Sequence, residues 1–410
     1  MAGSTIDHMI AMTVFIGALL IFISLFNQTI QTAVLYQRNR AVATKCSDLL
    51  DNMLLNPGIP ANWSRMESLQ LEGFGLQDPE FTQYRLSPFS LMRLQSSIGE
   101  PVYYRGTNQW YSNTTMGFGD FLLVSSAKAL NYSYVAKLLG INNTYGFQLS
   151  ISPIVMVSIR ETHAGNPLTL TISVTGKGFP LSNSVVSYCF FTVVEKGDQS
   201  SPSYNVKFGT VYTDNTGVAV LNFEDVGATK SYALIVYAHL SGLVGVGYHQ
   251  RVSADKRYVI PLVESFEDKR VILAHSYDVH YFGPPESAVF FNATFVLLSE
   301  DFTLREMPME NSTGKIGKVN YGKGEKFEYA NITIPTYNPG ILVVTYQSNN
   351  EYGVILMPWG ISAMAFPVVF GEDPSGKEWV ATDIRQVLVG NVAYQVKLAL
   401  WSLEGYGVMG

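Results

Sequence analysis

The densest group of side chains able to do chemistry is His275-x-x-Asp278-x-His280. Two imidazoles and a carboxylate can ligate zinc if their donor atoms converge on one point. On an extended strand Asp278 and His280 share a face while His275 points the other way, so a strand here denies that convergence. Ordinary surface and core histidines are the alternative. His239 and His249 flank an apolar, Gly-rich segment (LSGLVGVGY) and have no acidic neighbour in sequence, so general acid–base work lacks its second partner. Asp214 and Asn215 sit in a D-N-x-G turn without the ligand spacing of an EF-hand, and such turns form with no ion. Glu264, Glu267 and Asp268 read as a solvated loop. No phosphate-cradling Gly-rich loop, G-x-S-x-G, HExxH or CxxC occurs. The expectation is a non-enzyme with no catalytic residue, metal or cofactor.

The elements around these residues are set by a long apolar start. Met9 to Phe26 carries no charge, and its 18 residues make roughly 27 Å of helix, close to the hydrocarbon thickness of a bilayer. Met9, Ile10, Val14, Phe15, Gly17, Ala18, Leu19, Leu20, Phe22 and Phe26 are expected to belong to a membrane helix. Past Asn27 the pattern stays helical but turns amphipathic, with apolar Val34, Ala41, Val42, Leu49, Leu50 and Met53, until Asn56-Pro57-Gly58 stops it. A secretory signal wants a basic start, a shorter core and a small-x-small cleavage site, so a membrane anchor is the expectation.

Orientation pulls two ways. Arg38, Arg40 and Lys45 follow the run, which by the positive-inside rule keeps the bulk in the cytoplasm. Sequons at Asn62, Asn113, Asn131, Asn142, Asn292, Asn311 and Asn331 argue for the outside. Asn292 and Asn331 fall in alternating strands, where i and i+2 share the solvent face regardless; the other five fall in turn-rich stretches. Large domains translocate whatever their flanking charge, so the bulk is expected to be extracellular.

Ser4-Thr5-Ile6-Asp7 fits a capping box, hydroxyl first and carboxylate three residues on. Gly3-Ser4-Thr5-Ile6-Asp7, followed by an apolar helix running on as a stalk, also resembles the N-terminus of archaeal type IV pilin-like proteins. In that family the acidic residue usually falls at the fifth position of bacterial relatives, against the fourth here counted from Ser4, and a basic residue usually precedes the glycine, which this sequence lacks. The resemblance implies cleavage between Gly3 and Ser4 by a prepilin peptidase. It also implies partners in a pilus assembly machinery and self-association, or pairing with other pilin-like subunits, through the helix.

The rest is expected to be mainly β. Charged residues are 15 % and aromatics 13 %, with 24 Tyr, 23 Phe, 35 Gly and 18 Pro. A net charge of −6 without a basic cluster excludes nucleic acid as a partner. Two cysteines cannot form a disulfide framework; Cys46 and Cys189 are either two buried free thiols or a tie between the stalk and a distant domain. The expected organisation is a transmembrane and stalk helix over 1–56, a small α/β head over 57–152, an Ig-like β-sandwich over 153–254, a second β-sandwich over 255–350, and a C-terminal β segment over 351–410 packed on a preceding domain. In the head, Ser133–Leu139 reads as a short helix closed by Gly140, and Phe147, Leu149 and Ile151 alternate as a strand.

Leu168–Val174 alternates strictly, and Thr213–Gly217 reads as a hairpin turn leading to alternating Val218–Phe223. The segment G-x-P-L-x-N-x-x-V, from Gly178 to Val186, before T-D-x-x-G-x-A, from Thr213 to Ala219, resembles Ig-like and carboxypeptidase-regulatory-like modules. Such modules act mostly as spacers or adhesive units. Val271, Leu273, Tyr277 and Val279 are expected to face one way and Ser276, Asp278 and His280 the other. Val354–Phe370, interrupted by Pro358, Gly360 and Pro367, reads as a buried strand pair. Trp63, Trp110, Tyr103, Tyr104 and Tyr111 are either a glycan-binding surface or core aromatics. The functions weighed are a membrane-anchored pilin-like structural protein, a tethered adhesin or receptor, and an envelope enzyme.

Overall fold

The computed structural model describes residues 2–66, 71–81, 84–95, 101–116, 120–125, 130–194, 196, 200–252, 258–280, 288–319, 326–348, 351–360 and 367–403. The fold is mainly β, with one long helix, Ala2–Leu55. The helix already includes Ser4, so Ser4 is not an N-cap and the Ser4–Asp7 capping box does not form; an N-cap needs non-helical backbone angles. At the other end, Leu76 N–H donates to Met53 O (2.8 Å) and Gln77 N–H to Asn56 O (3.0 Å), satisfying carbonyls that the helix itself leaves open. This return of the chain needs Gly75, because a Cβ there would lie 2.1 Å from Asn56 O.

Val42, Cys46, Leu49, Leu50, Met53 and Leu54 are buried, a stripe at i, i+4, i+7 and i+8. Val34 and Ala41, expected on the same apolar face, are exposed: Val34 lies two turns before the first buried position, Val42, and Ala41 is set about 100° round the helix from it. The stripe lies on a five-stranded basal sheet ordered Arg85–Leu86, Ala381–Val389, Val392–Ser402, Tyr145–Pro153, Val368–Gly371. Segment 57–152, expected to form the head by itself, is therefore divided. Its helix Tyr132–Leu138 and strand Tyr145–Pro153 join the C-terminal strands beneath the stalk. Its strands Pro101–Tyr104, Gln109–Met116 and Asp120–Ser125 join Val259–Ser265, Arg270–His275 and Ala330–Thr333 in another sheet.

That second sheet faces a sheet built on Ala288–Leu298, Gly340–Ser348 and Glu351–Trp359, and the two enclose Val263, Val271, Leu273, Phe291, Phe295, Leu342, Tyr346 and Trp359. The other sandwich stacks Val155–His163, Leu168–Gly176 and Val218–Phe223 on Val185–Val194, Ser203–Tyr212, Tyr232–Leu240 and Leu243–Arg251. Alternation survives where one face meets solvent: Leu168, Leu170, Ile172 and Val174 are buried, with half-exposed residues between them. It disappears in Tyr232–Leu240 and Gly340–Ser348, which are buried on both faces because the sheets stack into a continuous core.

Three local expectations are corrected. The Thr213–Gly217 turn is not a hairpin: the strand before it pairs with Val185–Val194 and the strand after it with Leu168–Gly176, so the chain crosses between sheets. Ser276–His280 is a short helix, so the alternation expected for Tyr277 to His280 does not exist; the strand ends at His275, where Ser276 N–H turns to Tyr258 O. The apolar stretch 354–370 is not a strand pair. Glu351–Trp359 pairs with Gly340–Ser348 and Val368–Gly371 with Tyr145–Pro153, while residues 361–366 lie outside those described.

Candidate functional site

Among the described residues, the stalk is the one helix long and apolar enough to cross a membrane. None of its apolar window is covered by the body. Met9, Ile10, Val14, Phe15, Leu19, Leu20, Phe22 and Phe26 are exposed, as is Ala18, and a Cβ at Gly17 would meet nothing within 4 Å. The first buried position is Val42, so residues 6–41, roughly 54 Å of helix, stand clear of the protein. Gly3 and Ser4 lie in the opening turns, and Asp7 is exposed on the next.

Where the helix meets the body, Arg385 holds it. The guanidinium donates to both Asp51 oxygens (2.9 and 3.1 Å), to Ser47 Oγ (3.0 Å) and to Asp383 on its own strand (2.6 Å). The bidentate bonds to Asp51 and the further bond to Asp383 keep Arg385 more firmly protonated than usual against the opposing effect of burial. Beside it, Cys46 Sγ contacts Leu398 O at 3.5 Å, and burial pushes its thiol up to about 11. Cys189 is also free, and burial pushes its thiol higher still. Both cysteines are inert packing groups rather than nucleophiles.

Among the described residues, no group of three His, Cys, Asp or Glu side chains could hold a metal ion. His275 is buried, its Nδ1 accepts from Tyr277 N–H (3.1 Å), and burial pushes the imidazole down to about 4. Burial pushes Asp278 up to about 6, against the opposing pull of Arg105. The His280 side chain lies outside the described residues.

The sign of the His275 effect follows directly. A neutral folded imidazole costs nothing above its ordinary 6.5, and the penalty grows as pH falls from 6.5 towards 4. Asp278 acts oppositely, costing stability as pH rises from 3.8 to 6. The stability of the wild type is therefore expected to change little between pH 4 and 6. The stability difference between wild type and His275→Gln should move by up to roughly 3 kcal/mol in the variant's favour between pH 7 and pH 4, read from urea midpoints.

His249 does have an acidic neighbour, missed in sequence because it comes from another strand. Tyr232 OH donates to Glu161 Oε2 (2.6 Å) and contacts His249 Nδ1 (3.3 Å), while Arg251 Nη1 reaches Glu161 Oε1 (3.2 Å). Arg251 also donates to Lys230 O, Ala164 O and Gly227 O. A guanidinium spent on three loop carbonyls is a clamp on the end of the sandwich, not a reactive group. Asp214 is likewise occupied: its Oδ1 accepts from Thr216 N–H, Thr216 Oγ–H and Val218 N–H, which closes the turn without an ion.

The aromatics divide. Trp63, Tyr104 and Tyr111 are core, whereas Tyr103 (38 % exposed) and Trp110 (54 %) pair across one hairpin with ring centres 5.4 Å apart. Among the sequons, Asn62, Asn142, Asn311 and Asn331 are exposed. Asn131 is exposed but caps Tyr132–Leu138 by accepting from Ser133 N–H. Asn113 lies inside the strand Gln109–Met116, not in a turn. Asn292 is half-buried and donates to Pro202 O (3.1 Å), and its partner Thr294 is buried against Glu306 rather than on a solvent face, because the neighbouring sandwich docks there.

No family model matches this sequence, and no curated protein matches it. Matches among solved structures include trypsin-activated alpha-2-macroglobulin from Escherichia coli, at 10 % identity and a TM-score of 0.21 over 57 % of this chain and 18 % of that one. Red sea bream transglutaminase matches at 12 % identity and a TM-score of 0.17, over 61 % of this chain and 37 % of that one. The chain thus spans well under half the length of either, and likenesses this distant carry no argument about function.

Proposed function

We propose that this protein is a single-pass, pilin-like surface protein whose apolar helix lies in the membrane and whose β body is extracellular, building or decorating a surface filament or envelope assembly. The observation that carries this reading is the uncovered length of helix from residue 6 to residue 41, apolar at its start and docked only at its end. A helix exposing that much apolar surface needs lipid or other helices around it. Processing between Gly3 and Ser4, the prepilin peptidase and the assembly machinery belong to the same proposal.

Protease shaving of intact cells, followed by negative-stain microscopy, tests topology and assembly together. Gly17→Leu and Ala18→Leu fill open space beside the helix and touch nothing in the body, so they should break a filament or complex and leave the body folded. Shaving that leaves the body intact, or assemblies indifferent to both substitutions, would overturn the proposal. On an external body, Asn62, Asn142, Asn311 and Asn331 should carry glycan while Asn292 stays bare, read by glycopeptide mass spectrometry. Glycan on Asn292 would contradict the docking of the two sandwiches. The exposed Tyr103–Trp110 pair favours one second reading, a tethered adhesin that stacks sugar rings on that hairpin. In that case replacing residues 9–26 with a generic apolar helix would leave binding intact.

A further inference from the structure

Ser203–Tyr212 ends one sheet of the sandwich that begins at Val155, and with ten residues it is the longest edge strand among those described. It pairs with Val185–Val194 in an unbroken register, and no described strand pairs with its other side. The outward N–H and C=O groups of such a strand are a template for another strand. Proline, a bulge or several charges usually blunt an edge of this kind; here there is one charge, Lys207, and neither of the others. Phe208 is 47 % exposed and Tyr212 67 %, both on the same face of the strand. The second sandwich touches the strand at its beginning, where Tyr204 OH donates to Glu306 Oε1 (2.5 Å), while Asn205, Lys207 and Thr210 are exposed.

Side-chain complementarity indicates what occupies the edge. A two-fold axis perpendicular to the sheet extends it by laying the strand antiparallel to its own copy. Side chains then keep to their faces only if one residue lies opposite its own counterpart. Two registers use most of the strand, one centred on Lys207 and one on Phe208. The first sets two ammonium groups directly opposite each other, which is unfavourable. The second sets Phe208 against Phe208, Tyr204 against Tyr212 and Val206 against Thr210, an aromatic and β-branched seam with no like charges opposed. It also lays Lys207 across Gly209 of the other copy, beside Tyr188, since a Cβ at Gly209 would lie 2.4 Å from the Tyr188 hydroxyl oxygen. The groove that Tyr188 lines with Pro167 and Asn222 carries Glu224, a charge opposite to the incoming lysine's.

We propose that Ser203–Tyr212 is an interface between two copies of this chain, paired antiparallel across a two-fold axis at Phe208 so that the sheet runs on from one body into the other. The contact lies on the body and does not depend on the membrane helix of the function proposed above.

Sedimentation equilibrium and disulfide trapping of the full chain in detergent test this. A reversible dimer should form, and Phe208→Glu, which opposes two carboxylates at the axis, should raise its dissociation constant about tenfold or more. In Phe208→Cys the two thiols face each other with Cα atoms about 4.5–5.5 Å apart, within a disulfide's reach, so mild oxidation should give a covalent dimer on non-reducing gels. Thr210→Cys, on the same face but about 14 Å from its counterpart along the copy, should not cross-link, and neither should wild type, whose Cys46 and Cys189 are buried. Trapping keeps the test valid if Phe208→Glu does not fold. A chain that stays monomeric up to about 100 µM, with no trapping at residue 208, would leave the edge to a strand of another protein and overturn the proposal. Equal trapping at 208 and 210, or a dimer lost with Gly17→Leu and kept with Phe208→Glu, would overturn it as well.

Discussion

Deleting residues 2–37 should convert the membrane species proposed above into a soluble one and leave its β body folded. The deletion takes away all of Met9–Phe26, which contains eleven Leu, Ile, Phe and Val residues. At about −0.3 to −0.6 kcal/mol each, those residues favour insertion by roughly 3–7 kcal/mol, enough to empty the aqueous fraction almost completely. None of residues 6–37 is buried in the body, since burial starts at Val42, and the Arg385 bonds to Ser47 and Asp51 remain. The unfolding free energy of the remainder should therefore match that of the parent body to within about 0.5 kcal/mol. Ultracentrifugation after alkaline extraction and urea unfolding of the truncated chain measure the two halves of this expectation. A truncated chain that still pellets, or one that no longer unfolds cooperatively, would show that the helix is part of the fold rather than an appendage.

That helix was legible because its signals are local: an uncharged run, a stripe at helical spacing and an Asn-Pro-Gly stop. So were strands with one wet face, such as Leu168–Gly176, where buried and half-exposed residues alternate. Two things were not. The first is partnership across long separations. Nothing near Tyr145–Pro153 indicates that it pairs with Val392–Ser402, and nothing near His249 indicates that Glu161 reaches Tyr232 beside it. The second is the periodicity of strands buried on both faces. Gly340–Ser348 is buried at every position because it sits between two layers, and its unbroken apolar run Ile341–Val344 looks the same whether it closes a sandwich or joins two. The alternation expected from Tyr277 to His280 failed for a related reason. A strand assignment carried through His275 concealed the helical turn at Ser276, and only the backbone shows where one periodicity gives way to the other.

Two tryptophans that composition cannot tell apart should respond very unequally to removal. Trp359 is fully buried, its Nε1 donates to Thr336 O (3.1 Å), and its ring meets Phe89 edge-on at 5.4 Å and Phe266 at 5.8 Å. Phe89 belongs to the helix Pro88–Gln95, so the indole fastens that helix to the strand pair Gly340–Ser348 and Glu351–Trp359. Trp359→Ala should cost about 3–5 kcal/mol from lost burial and the cavity left behind. The unpaired Thr336 carbonyl adds to that loss. Trp110 pairs across its hairpin with Tyr103 and keeps half its surface in water, so Trp110→Ala should cost less than about 1 kcal/mol. Urea midpoints of the soluble truncation and its two variants measure the contrast. Comparable losses at the two sites would mean that the core enclosed between the sheets of Arg270–His275 and Gly340–Ser348 is not packed around Trp359.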